Sequence, residues 1–389
     1  MDSFLNIDVQ AFARELDAIR TRAERELGPG DLTHLKRIMR VQRLLSMAGY
    51  ATAWALPNPV SMLLLGVANT SRWTIVAHHV LHKGYDKVPG APAELTSRAF
   101  ASDRRRAVDW LDWISPEAWK LEHNMLHHFH TGETKDPDLV EENAQTVRRA
   151  KWPLALKYGA VAFYAATWKF TYYAPNTFQV MQRAKRKGAR EGEDGSETYL
   201  AAWDFRTKQG RAFWRECVLP YGLTRFVVAP ACFLPLGPLA AFNVWANSVG
   251  AEVVANVYSF LVIAPNHAGD DLYRYEGSPR TRGEFYIRQV TGSANYDTGG
   301  LRDFFYGYLN YQIEHHLFPE LPASAYARIQ PEVKAVCERY GVPYVQESLR
   351  KRIVKLVDIM VGRTSMRRSM GGGHSLKPLR DQFARGPQQ

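Results

Sequence analysis

The 389 residues are enough for two soluble domains or for one membrane protein with a cytosolic cap. A net charge of +11 admits nucleic acid, anionic lipid or an acidic protein as partner. No nucleic-acid-binding module occurs and basic residues flank the apolar stretches, which leaves lipid and acidic protein. Three cysteines, Cys217, Cys232 and Cys337, form no CxxC and no disulfide framework, and Cys232, within an apolar run, is expected in the core.

In residues 1–40, Leu5, Val9, Phe12, Leu16 and Ile19 recur at three- and four-residue steps, which predicts an amphipathic cytosolic helix with no secretory signal. Lys36, Arg37, Arg40 and Arg43 then favour a cytoplasmic N-terminus. A first apolar hairpin runs over 44–56, turns at Pro57-Asn58-Pro59 and returns over 60–76. Each arm is shorter than the ~20 residues a span needs, and Arg72 interrupts the second. A pair of soluble core helices is the alternative.

Trp110, Trp113 and Trp119 suit a membrane interface or an aromatic core equally. A helix is expected from Pro116. The apolar run 152–174, broken by Lys157 and Lys169, is expected to end at Pro175 and to lie in the interface. The basic stretch 183–190 and an acidic-glycine loop at 191–197 follow. A second hairpin spans 219–236, turns at Gly237-Pro238 and returns over 239–265 to Asn266-His267. A helical cap to residue 361 and a flexible basic tail from Arg363, with Gly371-Gly372-Gly373-His374, complete the chain.

The expected architecture is all-α and integral to the membrane: two transmembrane hairpins, about four spans, and a cytosolic cap. Its divisions are the N-terminal segment 1–40, a membrane domain 41–362 and the tail 363–389. The hairpins fall at 41–82 and 219–267, and the cap includes 83–151 and 268–362.

Of the twelve histidines, eight lie in three clusters: His78-His79-Val80-Leu81-His82, His123-Asn124-Met125-Leu126-His127-His128, and Gln312-Ile313-Glu314-His315-His316. An α-helix puts residues four apart on one face, so His78 and His82 would aim at one point, as would His123 and His127. His128 is turned about 100° from His127 and would reach a second point, and His315 and His316 diverge likewise. Hydrogen-bonded histidines at helix ends would account for any one pair, but not for all three clusters. Imidazole suits zinc, copper, iron and nickel alike. A single zinc site takes about four ligands, so this many histidines fit two metals sharing one cage.

These motifs, HxxxH, HxxxHH and QxxHH in this order, resemble the histidine boxes of the membrane fatty acid desaturases. The Gln heading the third box resembles the front-end branch. Lys135-Asp136-Pro137-Asp138, Gln289-Val290-Thr291, Asn295, Leu309-Asn310-Tyr311-Gln312, Leu321-Pro322, Tyr326, Cys337, Tyr340-Gly341 and Tyr344 extend the likeness over roughly residues 40–360. His79 stands where the branch often has Asp, and the fused cytochrome b5 motif His-Pro-Gly-Gly is missing, which favours a bacterial inner membrane.

The resemblance implies two irons held by His78, His82, His123, His127, His128, His267, His315 and His316. Gln312 takes the place of a ligand histidine of related enzymes. Asn310, Glu314, Asp270 and Asp136 become candidates for orienting imidazoles, while His34 and His130 are read as structural. The implied reaction uses O2 and two external electrons to place a cis double bond in a fatty acyl chain carried by CoA, acyl carrier protein or intact lipid. Hydroxylation is the alternative chemistry. A transporter would need repeated halves and a polar midplane, and no repeat is present. The electrons must come from a ferredoxin or a separate cytochrome b5, docking on Arg183, Lys185, Arg186 and Lys187 of a cytoplasm-facing surface.

Overall fold

Helices dominate the computed structural model, which describes residues 7–185 and 199–369. Asp8 starts α1 (Val9–Arg25) by accepting the backbone N–H groups of Gln10 and Ala11 at 3.0 and 2.9 Å. Phe12, Leu16 and Ile19 are buried on its inner face as expected; Leu5 lies outside the described residues. Pro29 and Asp31 open α2 (Pro29–Ala53), Asp31 accepting the Gly28 N–H at 3.0 Å. This helix runs unbroken through residues 40 and 41, across the boundary expected between the N-terminal segment and the membrane domain. Leu35 and Ile38 are buried while Lys36, Arg37, Arg40 and Arg43 lie on the outer face, so the charges decorate one helix rather than ending it.

Three helices among the described residues are long and apolar enough to cross a membrane: α3 (Pro59–Leu81), α6 (Lys208–Leu236) and α7 (Pro238–His267). Between them α4 covers 116–130 and α5 covers 154–185. The first hairpin is longer than its apolar runs suggest, with arms of 25 and 23 residues, because helix continues through the polar residues at either end. α6 likewise starts at Lys208 rather than 219. Gly237, at φ +107°, makes the turn that Pro238 closes at the first position of α7.

α3 packs between α2 and α7, and α5 against α7. Close approach explains Gly66, where a Cβ would stand 2.5 Å from Val254 Cγ1. The outward faces expose Leu44, Leu63, Val227, Val228, Leu239 and Phe242, an apolar band suited to lipid. Cys232 belongs to that exposed surface, not to the core, because its apolar run faces outward.

The helix expected to stop at Pro175 continues to Lys185. A π-helical turn over Lys169–Tyr173 lies just ahead of the proline and loosens the ladder where its missing N–H would be felt. Trp110, Trp113 and Trp119 are core residues rather than an interfacial belt.

The cap is built from α8 (Arg282–Thr291), α9 (Gln312–Leu317), α10 (Ala323–Tyr340) and α11 (Leu349–Val361), with α1 laid across α8 and α10. Fully buried Arg352 fastens α11 to the end of α7, bonding the Pro265 and Ala268 carbonyls at 3.2 and 2.9 Å and Asp271 at 2.7 Å. The expected tail begins in order, since β2 (Arg367–Ser369) pairs in parallel with β1 (Tyr273–Tyr275). Residues 370–389, with Gly371 to His374, are outside the described part, as is the acidic loop at 191–197.

Candidate metal centre

Local helix geometry decides which histidines meet. At the end of α3, a π-helical turn over Arg72–Ala77 gives way to α-helix, and the His82 N–H bonds the His78 carbonyl at 3.1 Å. These two histidines share a face, as i,i+4 spacing requires. In α4, Lys120–His127 is π-helical, and the His128 N–H bonds the carbonyl of His123, five residues back. His123 is therefore in register with His128, and it also keeps His127 within reach as α-helical spacing had implied, the two rings stacking with centroids 5.1 Å apart. His267 sits on the 3₁₀ turn Ala264–His267 that ends α7, and His315 and His316 diverge from the short α9.

Two groups result. Ring nitrogens of His78, His82, His123, His128 and His315 lie within 4.8 Å of one another, as do those of His127, His267 and His316. All eight residues are buried. In the first group, His78 Nε2 is 3.0 Å from His315 Nε2 and 3.2 Å from His123 Nε2. Beside the second, Gln312 Nε2 is 2.9 Å from His267 Nε2, and Gln312 Oε1 is buried without a hydrogen-bond partner. Asp138 forms a further group with His123 and His127, between the two.

The other ring nitrogens are held from behind. Asp136 accepts from His127 Nδ1 at 2.8 Å and Gln289 Oε1 from His316 Nδ1 at 2.9 Å. The Tyr326 hydroxyl donates to the Leu321 carbonyl at 2.9 Å, so its oxygen accepts from His315 Nδ1 at 3.1 Å. The Gly292 carbonyl lies 3.3 Å from His267 Nδ1. Each bond places the proton on Nδ1 and leaves an Nε2 lone pair facing inward, the tautomer that frees Nε2 for a metal.

Electrostatics favour the neutral form at all of these imidazoles except that of His127. Burial first, then the charge each would place beside the others, holds His82, His123, His128, His315 and His316 well below the ordinary imidazole range. Burial acts the same way on His127, but Asp136 outweighs it and the net direction is upward. Burial also raises Glu122 far above the carboxylate range and Asp138 to about 6.

Of the residues expected to orient imidazoles, only Asp136 touches one. Glu314, pushed up to about 7 by burial, accepts instead from Tyr344 and Asn295 at 2.7 and 2.8 Å. Asn310 bonds Asp303 at 2.6 Å, and Asp270 is half exposed, 4.0 Å from Lys355. His79 belongs to neither group; its Nδ1 bonds the Ile75 carbonyl at 2.8 Å. His34 bonds Tyr308 and His130 bonds Glu133, both structural contacts. Gln289, Tyr326 and Asp138 were the supports not singled out, although each sits in a motif already noted.

Two cavities reach the histidines from different sides and share no lining residue. The first is apolar, lined by Trp73, Tyr164, Trp168, Phe260 and Ile263, and meets His78, His123, His127, His267 and Gln312. The second is more open and basic, and meets His82, His128 and His316.

Residues 52–348 match the family model described as fatty acid desaturase. The chain belongs to the fatty acid desaturase family. As a desaturase it is an oxidoreductase acting on fatty acyl chains. It is 28% identical to an NADPH-dependent stearoyl-CoA 9-desaturase of Mycobacterium tuberculosis over 355 residues, covering 88% of this chain and 76% of the relative. It is 25% identical to a delta-8 fatty acid desaturase of Arabidopsis thaliana, over 60% of this chain and 49% of that one. With a delta-6 desaturase of Caenorhabditis elegans it shares 29% identity, over 36% and 30% of the two chains.

Proposed function

We propose that this desaturase holds two irons, one at His78, His82, His123, His128 and His315 and one at His127, His267, His316 and the Gln312 carbonyl oxygen. The observation carrying this reading is the convergence of buried Nε2 atoms whose Nδ1 partners face away. His82, His128 and His316 each leave a buried Nε2 without a hydrogen-bond partner, an arrangement costly unless something binds there. An all-nitrogen and amide-oxygen set also fits iron.

When bound, the irons supply the oxidising power with O2 that no side chain can. The reaction balances as one –CH2–CH2– unit, O2, two electrons and two protons giving –CH=CH– and two waters. The apolar cavity is where the acyl chain would lie. Its aromatic wall excludes water and steers a methylene pair towards the face formed by His78, His123, His127 and His267. Asp136, Gln289 and Tyr326 keep the imidazoles in one tautomer and one orientation.

Four crossings are the reading of the membrane part, with α2 joining α3, α6 and α7. The basic outer face of α2 and the cap then lie in the cytoplasm, in a bacterial inner membrane. Electrons come from a separate carrier, of ferredoxin or cytochrome b5 type. The acyl chain arrives on CoA, acyl carrier protein or lipid.

The test is a fatty acid profile by gas chromatography–mass spectrometry from an oxygenated host that supplies ferredoxin. A new unsaturated acid with wild type, absent with His315→Ala/His316→Ala, is the expected result. A hydroxy acid in its place would replace desaturation by hydroxylation.

A further inference from the structure

The acyl cavity is small, about 130 Å³, and its lining is unevenly exposed. Asn143 is exposed and Val147, Ala160 and Tyr164 are half-buried, whereas Trp73, Thr74, Trp168 and Tyr173 are buried. The buried part is closed by rings in mutual contact. Centroid to centroid, Trp73 lies 5.8 Å from Trp168 and 5.6 Å from Tyr173, and Trp168 lies 5.2 Å from Tyr173. A head group of CoA, carrier protein or lipid is too large and too polar for that end. The carboxyl end of the chain therefore stays at the mouth and the methyl end points to the rings.

A buried charge backs the Trp73 ring. Lys169 Nζ stands 5.5 Å from the ring centroid and pairs with Asp112 at 2.9 Å, the two side chains being only 1% and 4% exposed. Neither residue is part of the cavity's lining. Asn256 holds this stretch of α5 in place: its Oδ1 accepts the Lys169 N–H at 2.9 Å and its carbonyl accepts Trp168 Nε1 at 2.9 Å. One short stretch, Trp168 and the π-helical turn Lys169–Tyr173, thus supplies two of the closing rings and the charge behind the third. The basic stretch expected to dock the electron carrier is at the other end of α5, at Arg183 and Lys185; Arg186 and Lys187 lie outside the described residues. A buried ammonium is stabilised by a carboxylate and an aromatic face, and hydrocarbon in place of that face would leave it uncompensated.

We propose that the Asp112–Lys169 pair is a polar stop behind Trp73, and that ring and pair together set the longest acyl chain the enzyme accepts. The inference rests on the proposed acyl cavity and deepens it by naming the residues that select the substrate. Two barriers act in series. The Trp73 ring blocks the chain sterically. The ammonium behind it blocks the chain electrostatically, because a terminus that displaced the ring would strip Lys169 of its aromatic face. A plain apolar wall would lack the second barrier, and cutting back its ring would simply lengthen the cavity. Here a smaller side chain at position 73 gains little until the charge is removed as well. One methylene in an apolar pocket changes kcat/KM by about 10- to 200-fold, so the limit in chain length should be sharp.

The test feeds the oxygenated, ferredoxin-supplying host a mixture of saturated fatty acids, each an ethylene unit longer than the last, and reads the products by gas chromatography–mass spectrometry. The host attaches its own carrier, so carrier identity does not enter. Trp73→Leu should raise the yield from the first rejected length, relative to the longest accepted one, by only about threefold. Trp73→Leu/Lys169→Met/Asp112→Asn, which removes both charges together, should raise it by about tenfold or more. Equal gains from the two would overturn the polar stop. An unchanged limit in variants holding two irons would overturn the proposal as a whole. Labelling of purified wild type gives a readout free of turnover and of any folding defect. A fatty acid with a diazirine on its terminal carbon should, on illumination, mark the peptide carrying Trp73 or that carrying Trp168 and Tyr173. Marks at Val147 or Ala160 instead would overturn the direction of the chain and the stop with it. Wild type that yields no unsaturated acid and binds fewer than two irons overturns the di-iron desaturase reading, and this inference with it.

Discussion

The His128 N–H bonds the carbonyl of His123, five residues earlier, so one π-helical turn places these two histidines of α4 in the same cluster of ring nitrogens. His127, between them in sequence, lies with His267 and His316 and also within reach of His123 and Asp138. One wide turn thereby contributes histidines to both clusters from six consecutive residues.

Asp136 should matter to metal retention and Asp270 should not. Asp136→Ala removes the acceptor that fixes the His127 tautomer, and should weaken iron binding by about 10- to 100-fold. Asp270→Asn, remote from every histidine of either group, should leave it unchanged. Competition with a chelator measures both, and equal affinities for the two variants would count against the orienting role.

Packing between α3 and α7 depends on Gly66. Gly66→Val drives new methyl groups into Val254 and should destabilise the protein by about 1–3 kcal/mol. Gly159, on α5, has open space around it, so Gly159→Ala should stabilise by about 0.5–1 kcal/mol through helix propensity. Thermal unfolding in detergent compares the two.

The Asp271–Arg352 pair should make the cap acid-sensitive. Burial raises the Asp271 carboxyl, but Arg352 and Lys355 outweigh it and hold the group below its ordinary value. A depressed folded pKa contributes stability above the unfolded value of about 4, and that contribution is lost as pH falls through the folded value. Asp271→Asn should therefore be less stable than wild type at pH 7, with the gap closing in acid. A gap constant from pH 7 to pH 3 would contradict the linkage.

Much of this was readable from residues alone. The histidine clusters, the Gly237-Pro238 turn and the divergence of His315 from His316 follow from spacing and local chemistry. The pairing of His123 with His128 did not, because a π-helical turn has no periodic signature, and an i,i+4 rule selects only His127, which the turn also keeps near. Cys232 was misplaced because an apolar run reads alike whether it faces lipid or core. Pro175 misled for a related reason: a proline breaks an α-helix, but a π-helical turn ahead of it lets the helix go on. Tyr326 and Gln289, 11 and 27 residues from the histidines they hold, have no fixed spacing to them and meet them only through packing of the cap.

Iron content of paired variants tests the central claim most directly. Wild type should hold two irons per chain. His123→Ala/His128→Ala removes two ligands of one centre and should retain one iron. His123→Ala/His127→Ala removes a ligand from each centre and should retain fewer. Wild type with at most one iron would contradict the two-centre account, and the reverse order of the two variants would contradict the pairing across the π-helical turn.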